Sequence, residues 1–159
     1  MATNAENAVE KMQAAVGQDE GTGEWFQVDQ ELINQFADVT HDHQFIHVDP
    51  EAAKNTPFGS TIAHGFLTLS MLTHLVSSIP RSNPEWFQGI TMGVNYGFDK
   101  VRFVSPVKVN SKIRARGKLL DASLKNPGTV QQKREITVEI EGEDRPACIA
   151  EWLTLLYYA

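Results

Sequence analysis

Three of the chain's five histidines fall within one short run, Thr40-His41-Asp42-His43-Gln44-Phe45-Ile46-His47-Val48-Asp49-Pro50, and a fourth, His64, stands directly before Gly65. Imidazole changes charge near neutral pH, and a carboxylate beside it can share or relay a proton, so Asp42 and His47 are candidates for general acid and base work. Other uses remain open for the same groups. His41, Asp42, His43, His47 and His64 offer the imidazole and carboxylate ligands that suit zinc, iron or manganese, although the helical His-Glu-x-x-His spacing is missing. Asp42 could equally fix the His47 ring within a structural loop, with His41 and His43 facing solvent. Asp49 has a simpler explanation, because Pro50-Glu51-Ala52-Ala53 after it reads as an N-cap followed by a helix with Pro at its first position.

The elements that must position these residues are legible from periodicity. Thr3 and Glu6 have capping-box spacing, and Ala5, Ala8, Val9, Met12 and Val16 share one face, which predicts an amphipathic helix over residues 4–16. This N-terminus lacks the apolar stretch of a signal peptide, since Glu6 and Glu10 interrupt it. A polar linker, Gly17 to Gly23, follows. A second helix starts after Asp29, with Leu32, Ile33, Phe36 and Ala37 as its apolar stripe and Val28 stapled on Ile33. From Gly65 to Ile79 the residues are apolar almost all round and end at Pro80, which predicts one buried helix, too short to cross a bilayer. From residue 90 the period changes to two. Ile113, Ala115, Gly117 and Leu119 alternate with Lys112, Arg114, Arg116 and Lys118, and Asn126-Pro127-Gly128 marks a turn between long antiparallel strands. The last strand, Ala147 to Tyr158, is more apolar than one sheet face needs, so burial against a second copy is expected there. The whole reads as α+β: a long curved antiparallel sheet wrapped around one central buried helix, with a short extra N-terminal helix.

Composition narrows the function classes. The 159 residues suit one domain and carry a formal net charge of −6, which argues against a general nucleic-acid binder. That charge is unevenly spread. Lys100 to Arg134 holds ten basic residues against Asp121 alone, a net +9 that leaves −15 for the rest, so a small polyanionic ligand could be drawn to one part of an acidic protein. Cys148 is the single cysteine; it excludes an internal disulfide, and a reducing, cytoplasmic setting is expected.

The run Phe36 to Glu51, followed by Thr56-Pro57-Phe58-Gly59-Ser60-Thr61-Ile62-Ala63-His64-Gly65-Phe66-Leu67, resembles the hydratase motif of the MaoC-like dehydratases, which include (R)-specific enoyl-CoA hydratases. The resemblance is strong over about residues 29–109, where Asn95-Tyr96-Gly97 and Lys100-Val101-Arg102-Phe103 match a subgroup. It departs at His41, where many members have Gly, and at Gln44-Phe45, where many have Asn-Pro. A His at a position needing positive φ carries some strain.

The resemblance implies a hotdog fold over residues 24–159, after an N-terminal helix and linker at 1–23. It also implies that Asp42 and His47 are the catalytic pair and that the Gly65 backbone N–H is the oxyanion donor. The implied activity is reversible syn addition of water to a trans-2-enoyl-CoA, giving the (R)-3-hydroxyacyl-CoA. No cofactor or metal is needed for it, CoA being part of the substrate. Phe58, His64, Phe66 and Leu69 are the expected substrate-binding residues. A homodimer is expected, with no nucleic-acid partner and no membrane insertion. Alternatives are a dehydratase acting on acyl carrier protein substrates, a hotdog thioesterase, or a non-catalytic acyl-thioester binding subunit.

Overall fold

A computed structural model describes residues 1–159. Its elements are α1 (Asn4–Ala14), β1 (Asp19–Thr22), β2 (Phe26–Gln27), α2 (Gln30–Thr40), α3 (Phe45–Val48), α4 (Pro50–Ala53), α5 (Gly65–Ser70) and α6 (Leu72–Ser77). A 3-10 turn at Pro84–Phe87 leads into four long strands, β3 (Ile90–Phe103), β4 (Lys112–Asn126), β5 (Thr129–Ile140) and β6 (Cys148–Tyr158). All pairings are antiparallel, in the order β1-β4-β5-β6-β3, with β2 also on β4. Bulges interrupt β3 and β4 at several points, and each adds local twist and bend to the strand that carries it.

The helices pack on the inward face of this sheet. Leu67, Leu72 and Leu75 join Ile113, Ile136, Val138 and Trp152 in the larger apolar cluster. Leu72 and Leu75 are almost wholly buried, each contributing about 2 kcal/mol by removal of apolar area from water. The expected single helix over 65–79 is instead two short ones joined at Met71. Ser70 supplies the reason: its hydroxyl donates back to the Phe66 carbonyl at 2.7 Å, a bond that bends helices. Complete burial of this segment does not hold either, because Phe66 is 67% exposed.

α1 carries the capping box, with Thr3 Oγ1 accepting from the Glu6 N–H and Glu6 accepting from the Thr3 N–H at 2.7 Å. Its face of Ala5, Ala8 and Met12 packs with Leu119, Ala122, Val130, Leu156 and Trp86 in a second cluster. The segment read as a polar linker is partly ordered as β1, which pairs with β4; Asp19 is exposed on this edge strand, while Glu20 turns in to Arg134.

The apolar last strand also needs reinterpretation. β6 lies inside the sheet, between β5 and β3, and Cys148, Ala150, Trp152, Leu156 and Tyr158 face the core. The free apolar edge belongs to β3, where Met92, Val94, Tyr96, Phe98 and Phe103 are exposed. No helix is long and apolar enough to cross a membrane.

Candidate active site

α2 begins at Asp29, whose side chain accepts from the Leu32 N–H at 2.9 Å, and ends at His41 in the left-handed conformation, φ 61°. The positive φ anticipated at this departure is therefore adopted, and it turns the chain so that Asp42 follows directly. Asp42 Oδ1 accepts from the Gln44 N–H at 3.3 Å, which steadies the carboxylate while leaving it half-exposed to solvent. α3 then lifts His47 inward. Asp49 caps α4 as expected, accepting from the N–H groups of Glu51 and Ala52.

His47 is 7% exposed. Its Nδ1 lies 2.7 Å from the Ile62 carbonyl, and a carbonyl only accepts, so Nδ1 carries the hydrogen and Nε2 keeps a free lone pair. Burial pushes the His47 pKa below its ordinary value of 6.5; the bond to Ile62 opposes that shift, the neighbouring His64 adds to it and Asp42 opposes it more weakly. The base form is thus the stable one at neutral pH.

His64, 2% exposed, stacks on His47 with ring centroids 3.8 Å apart. Its Nε2 donates to the Asp42 carbonyl at 2.9 Å, and the Phe36 ring lies tilted against it at 5.0 Å. Its Nδ1 is buried without a partner. One atom each from Asp42, His47 and His64 lie within 4.8 Å of one another, a span that one water at about 2.8 Å from each of two groups can bridge. These three are also the residues that could approach a cation, although His47 Nδ1 and His64 Nε2 are already held by backbone carbonyls.

Gly65 follows at the start of α5, where first-turn N–H groups have no intrahelical partner. A Cβ at Gly65 would stand 3.0 Å from the Phe103 ring, so any other residue here has to displace that ring. The remaining expected residues divide. Leu69 is half-buried against the core and lines a cavity with Thr73 and Trp152. Phe66 points outward, edge-on to Phe103 at 5.9 Å. Phe58 is half-buried on the segment between α4 and Ile62, and Phe36 is the phenyl ring that touches His64. His43 turns away to Asp38, 2.8 Å from its carboxylate.

Two contributors escaped sequence reasoning. Gln30 donates to the His47 carbonyl at 2.7 Å and accepts from Thr61 Oγ1 at 2.6 Å, tying α2, α3 and the Thr61–Ile62 segment together. Ile62 acts through its carbonyl, which any residue type supplies, so no sequence signal could have marked it.

A long antiparallel sheet packed on a central helix, with Asp42, His47 and the start of that helix converging at one end, defines the hotdog class of hydro-lyases, the hydratases and dehydratases. The chain belongs to the MaoC like domain family, matched over residues 11–142. It is 46% identical over 155 residues to Nodulation protein N of Rhizobium meliloti (strain 1021), covering 96% of this chain and 93% of that protein. It is 45% identical over 146 residues to 3-hydroxyacyl-thioester dehydratase Z of Mycobacterium tuberculosis (strain ATCC 25618 / H37Rv), covering 91% and 92%. Among solved structures, the (R)-hydratase from A. caviae involved in PHA biosynthesis superimposes with a TM-score of 0.68 at 21% identity, covering 87% of this chain and 94% of that one. R-hydratase PhaJ1 from Pseudomonas aeruginosa gives 0.66 at 20% identity, covering 91% and 83%. At these identities the structures establish the shared fold.

Proposed function

We propose that the protein is an (R)-specific hydratase and dehydratase of acyl-CoA thioesters. The observation that carries this reading is the tautomer of His47: with Nδ1–H committed to Ile62, Nε2 is a base, and a ring nitrogen of His47 and a carboxylate oxygen of Asp42 lie within 4.8 Å, near enough for the two side chains to share a water. In hydration, that water gives a proton to the pair as its oxygen bonds C3 of the trans-2-enoyl thioester. Charge builds on the thioester oxygen, where the Gly65 N–H stabilises it. The pair returns a proton to C2, and delivery from the same side makes the addition syn. Dehydration runs the same steps backward, which agrees with the relative named 3-hydroxyacyl-thioester dehydratase. A general acid or base of this kind accounts for roughly 10²–10⁴-fold in rate, and no cation is required.

For CoA, the basic stretch is less available than its net charge suggested. Arg114 and Arg116 reach Glu139, Lys112 reaches Glu141, Lys133 reaches Asp99 and Arg134 reaches Glu20. Lys100 and Arg102 on β3, and Lys108, which bridges Ile62 beside the site, keep their charge for the phosphates. The exposed β3 edge with Phe66 is the surface offered to a second copy, so a homodimer pairs through β3 in this reading, placing both sites near the shared edge.

Steady-state hydration of crotonyl-CoA, followed at the enoyl absorbance band with chiral analysis of the product, tests the proposal. Loss of the band with the (R)-3-hydroxy product is expected. Release of free thiol with the enoyl band intact would replace it with the thioesterase alternative.

A further inference from the structure

The inward face of the sheet is apolar at both ends and polar in between. On β5 the alternation that turns Val130, Ile136 and Val138 inward also turns Gln132 and Arg134 inward, and β6 sets Thr154 opposite Gln132 and Trp152 opposite Arg134. This polar band falls between the two apolar clusters, one built on α5 and α6 and the other on α1. Arg134 is held by Glu20 of β1 through two hydrogen bonds, 3.0 Å and 2.6 Å, over Gly117, where a Cβ would crowd it. That ion pair ties β1 across the sheet and leaves no net charge. Gln132 has no such explanation. It is 6% exposed and lines the cavity described next; its amide nitrogen donates only to Met12 Sδ at 4.0 Å, and a thioether is a weak acceptor, so the amide keeps hydrogen-bonding capacity for a further partner.

A cavity of about 230 Å³ opens on this band, bounded by Thr73 and Ser77 on the helix side and Trp86 beyond. It shares Thr73 and Trp152 with a second cavity of about 330 Å³ that runs beside Leu69 and Ser70 of α5, the helix that starts at Gly65. Thr73 and Ser77 lie about 12 and 18 Å along the helix from Gly65, at ~1.5 Å per residue. An extended chain advances ~1.2 Å per bond, so an acyl chain of roughly 10–15 carbons laid along the helix from a thioester at Gly65 has the length to span to the band.

We propose that this band receives a neutral oxygen-bearing group, a hydroxyl or ketone, near the distal end of the acyl chain, with Gln132 and Thr154 as its hydrogen-bonding partners. A carboxylate is disfavoured at Gln132 and Thr154, because Glu20 already neutralises Arg134 and the cavity's other cation, the exposed Arg81, lies over the Phe87 ring. The inference rests on the thioester hydratase reading and adds a preference within it.

The test compares kcat/KM of the full chain for trans-2-dodecenoyl-CoA, its 12-hydroxy derivative and crotonyl-CoA. The hydroxylated chain is expected to exceed the plain chain of the same length about tenfold, as one well-made hydrogen bond gives, chiefly through KM. Gln132→Leu, and independently Thr154→Val, should bring that ratio towards one; being a ratio, it does not depend on how much variant folds. Equal values for the two C12 substrates in the native protein, or a preference for the plain chain, overturn the inference even when crotonyl-CoA is hydrated. If none of the three is hydrated, the hydratase reading fails. Calorimetric affinities for the two C12 thioesters then still decide the subsite, and equal affinities overturn it.

Discussion

Gly65→Ala separates the proposed oxyanion role from packing. The added Cβ would lie 3.0 Å from Phe103 Cδ2 and 3.1 Å from both Cε2 and Cγ, against a comfortable carbon–carbon separation of about 3.5–4.0 Å. Phe103 therefore has to retreat by roughly 0.5 Å. It is partly exposed and packs edge-on against the outward Phe66, so it can do so at an off-rotamer cost of about 0.5–1.5 kcal/mol. Replacing Gly by Ala in a helix offsets this by up to about 1 kcal/mol. Net stability should change by about 1 kcal/mol or less, which is roughly 2–4 °C in Tm for a chain of this size. Activity should fall far more. In the proposed role the thioester oxygen approaches the Gly65 N–H closely, the added methyl narrows that approach, and impairing one such donor costs up to about 10²–10³ in kcat. The assay pairs crotonyl-CoA hydration with a thermal melt followed by circular dichroism. Activity within about threefold of the native protein, at an unchanged Tm, would refute the assignment of Gly65 as charge-stabilising donor. Recovery of activity in Gly65→Ala/Phe103→Ala would refute it differently, by showing that the displaced ring caused the loss.

Asp42→Asn and His47→Gln should each lower kcat by roughly 10²–10⁴ while the circular dichroism spectrum stays native; full turnover in either variant removes that residue from the proposed chemistry. The acid limb of kcat/KM should fall below pH 6.5, because burial lowers the His47 pKa and only its neutral form is a base. Stability should follow the same sign: the unfolded chain binds a proton at about 6.5 that folded His47 binds only at lower pH, so denaturant midpoints should decline as pH drops through that window. Prolonged dialysis against EDTA should leave hydration unchanged, since the proposed route uses Asp42, His47 and a backbone N–H alone; lost activity restored by one added cation would transfer the chemistry to the Asp42, His47 and His64 cluster. Thr3→Ala breaks the capping box of α1 and should cost about 0.5–2 kcal/mol, read from chemical denaturation.

Local signals carried much of the way. The capping box at Thr3 and the N-caps at Asp29 and Asp49 each depend on residues within a few positions of one another, and all three occur where the spacing put them; the left-handed turn at His41 was signalled instead by the family resemblance, in which many members have Gly there. The strands from residue 90 were legible for the same reason, since alternation is written along the chain. The break at Met71 was hidden because Ser70 reads as an ordinary polar residue until its hydroxyl finds the Phe66 carbonyl. β1 was hidden because its polar side chains say nothing about backbone pairing to β4.

By itself the sequence determined which residue types stand where: an Asp and a His five apart, a His-Gly before an apolar helix, and a family motif around them. Tertiary structure decided the states in which they act. Ile62, fifteen residues beyond His47, fixes its tautomer, His64 stacks upon it, and burial holds it neutral. Strand order decided that β6 is interior and that β3 carries the free apolar edge. Pairing of β5 with β6 put Gln132 opposite Thr154, in the interior. Hydrophobic patterning specifies which side of an element is buried. Only the packed arrangement specifies what meets it there, because hydrogen bonds, tautomers and desolvation depend on neighbours that are distant along the chain.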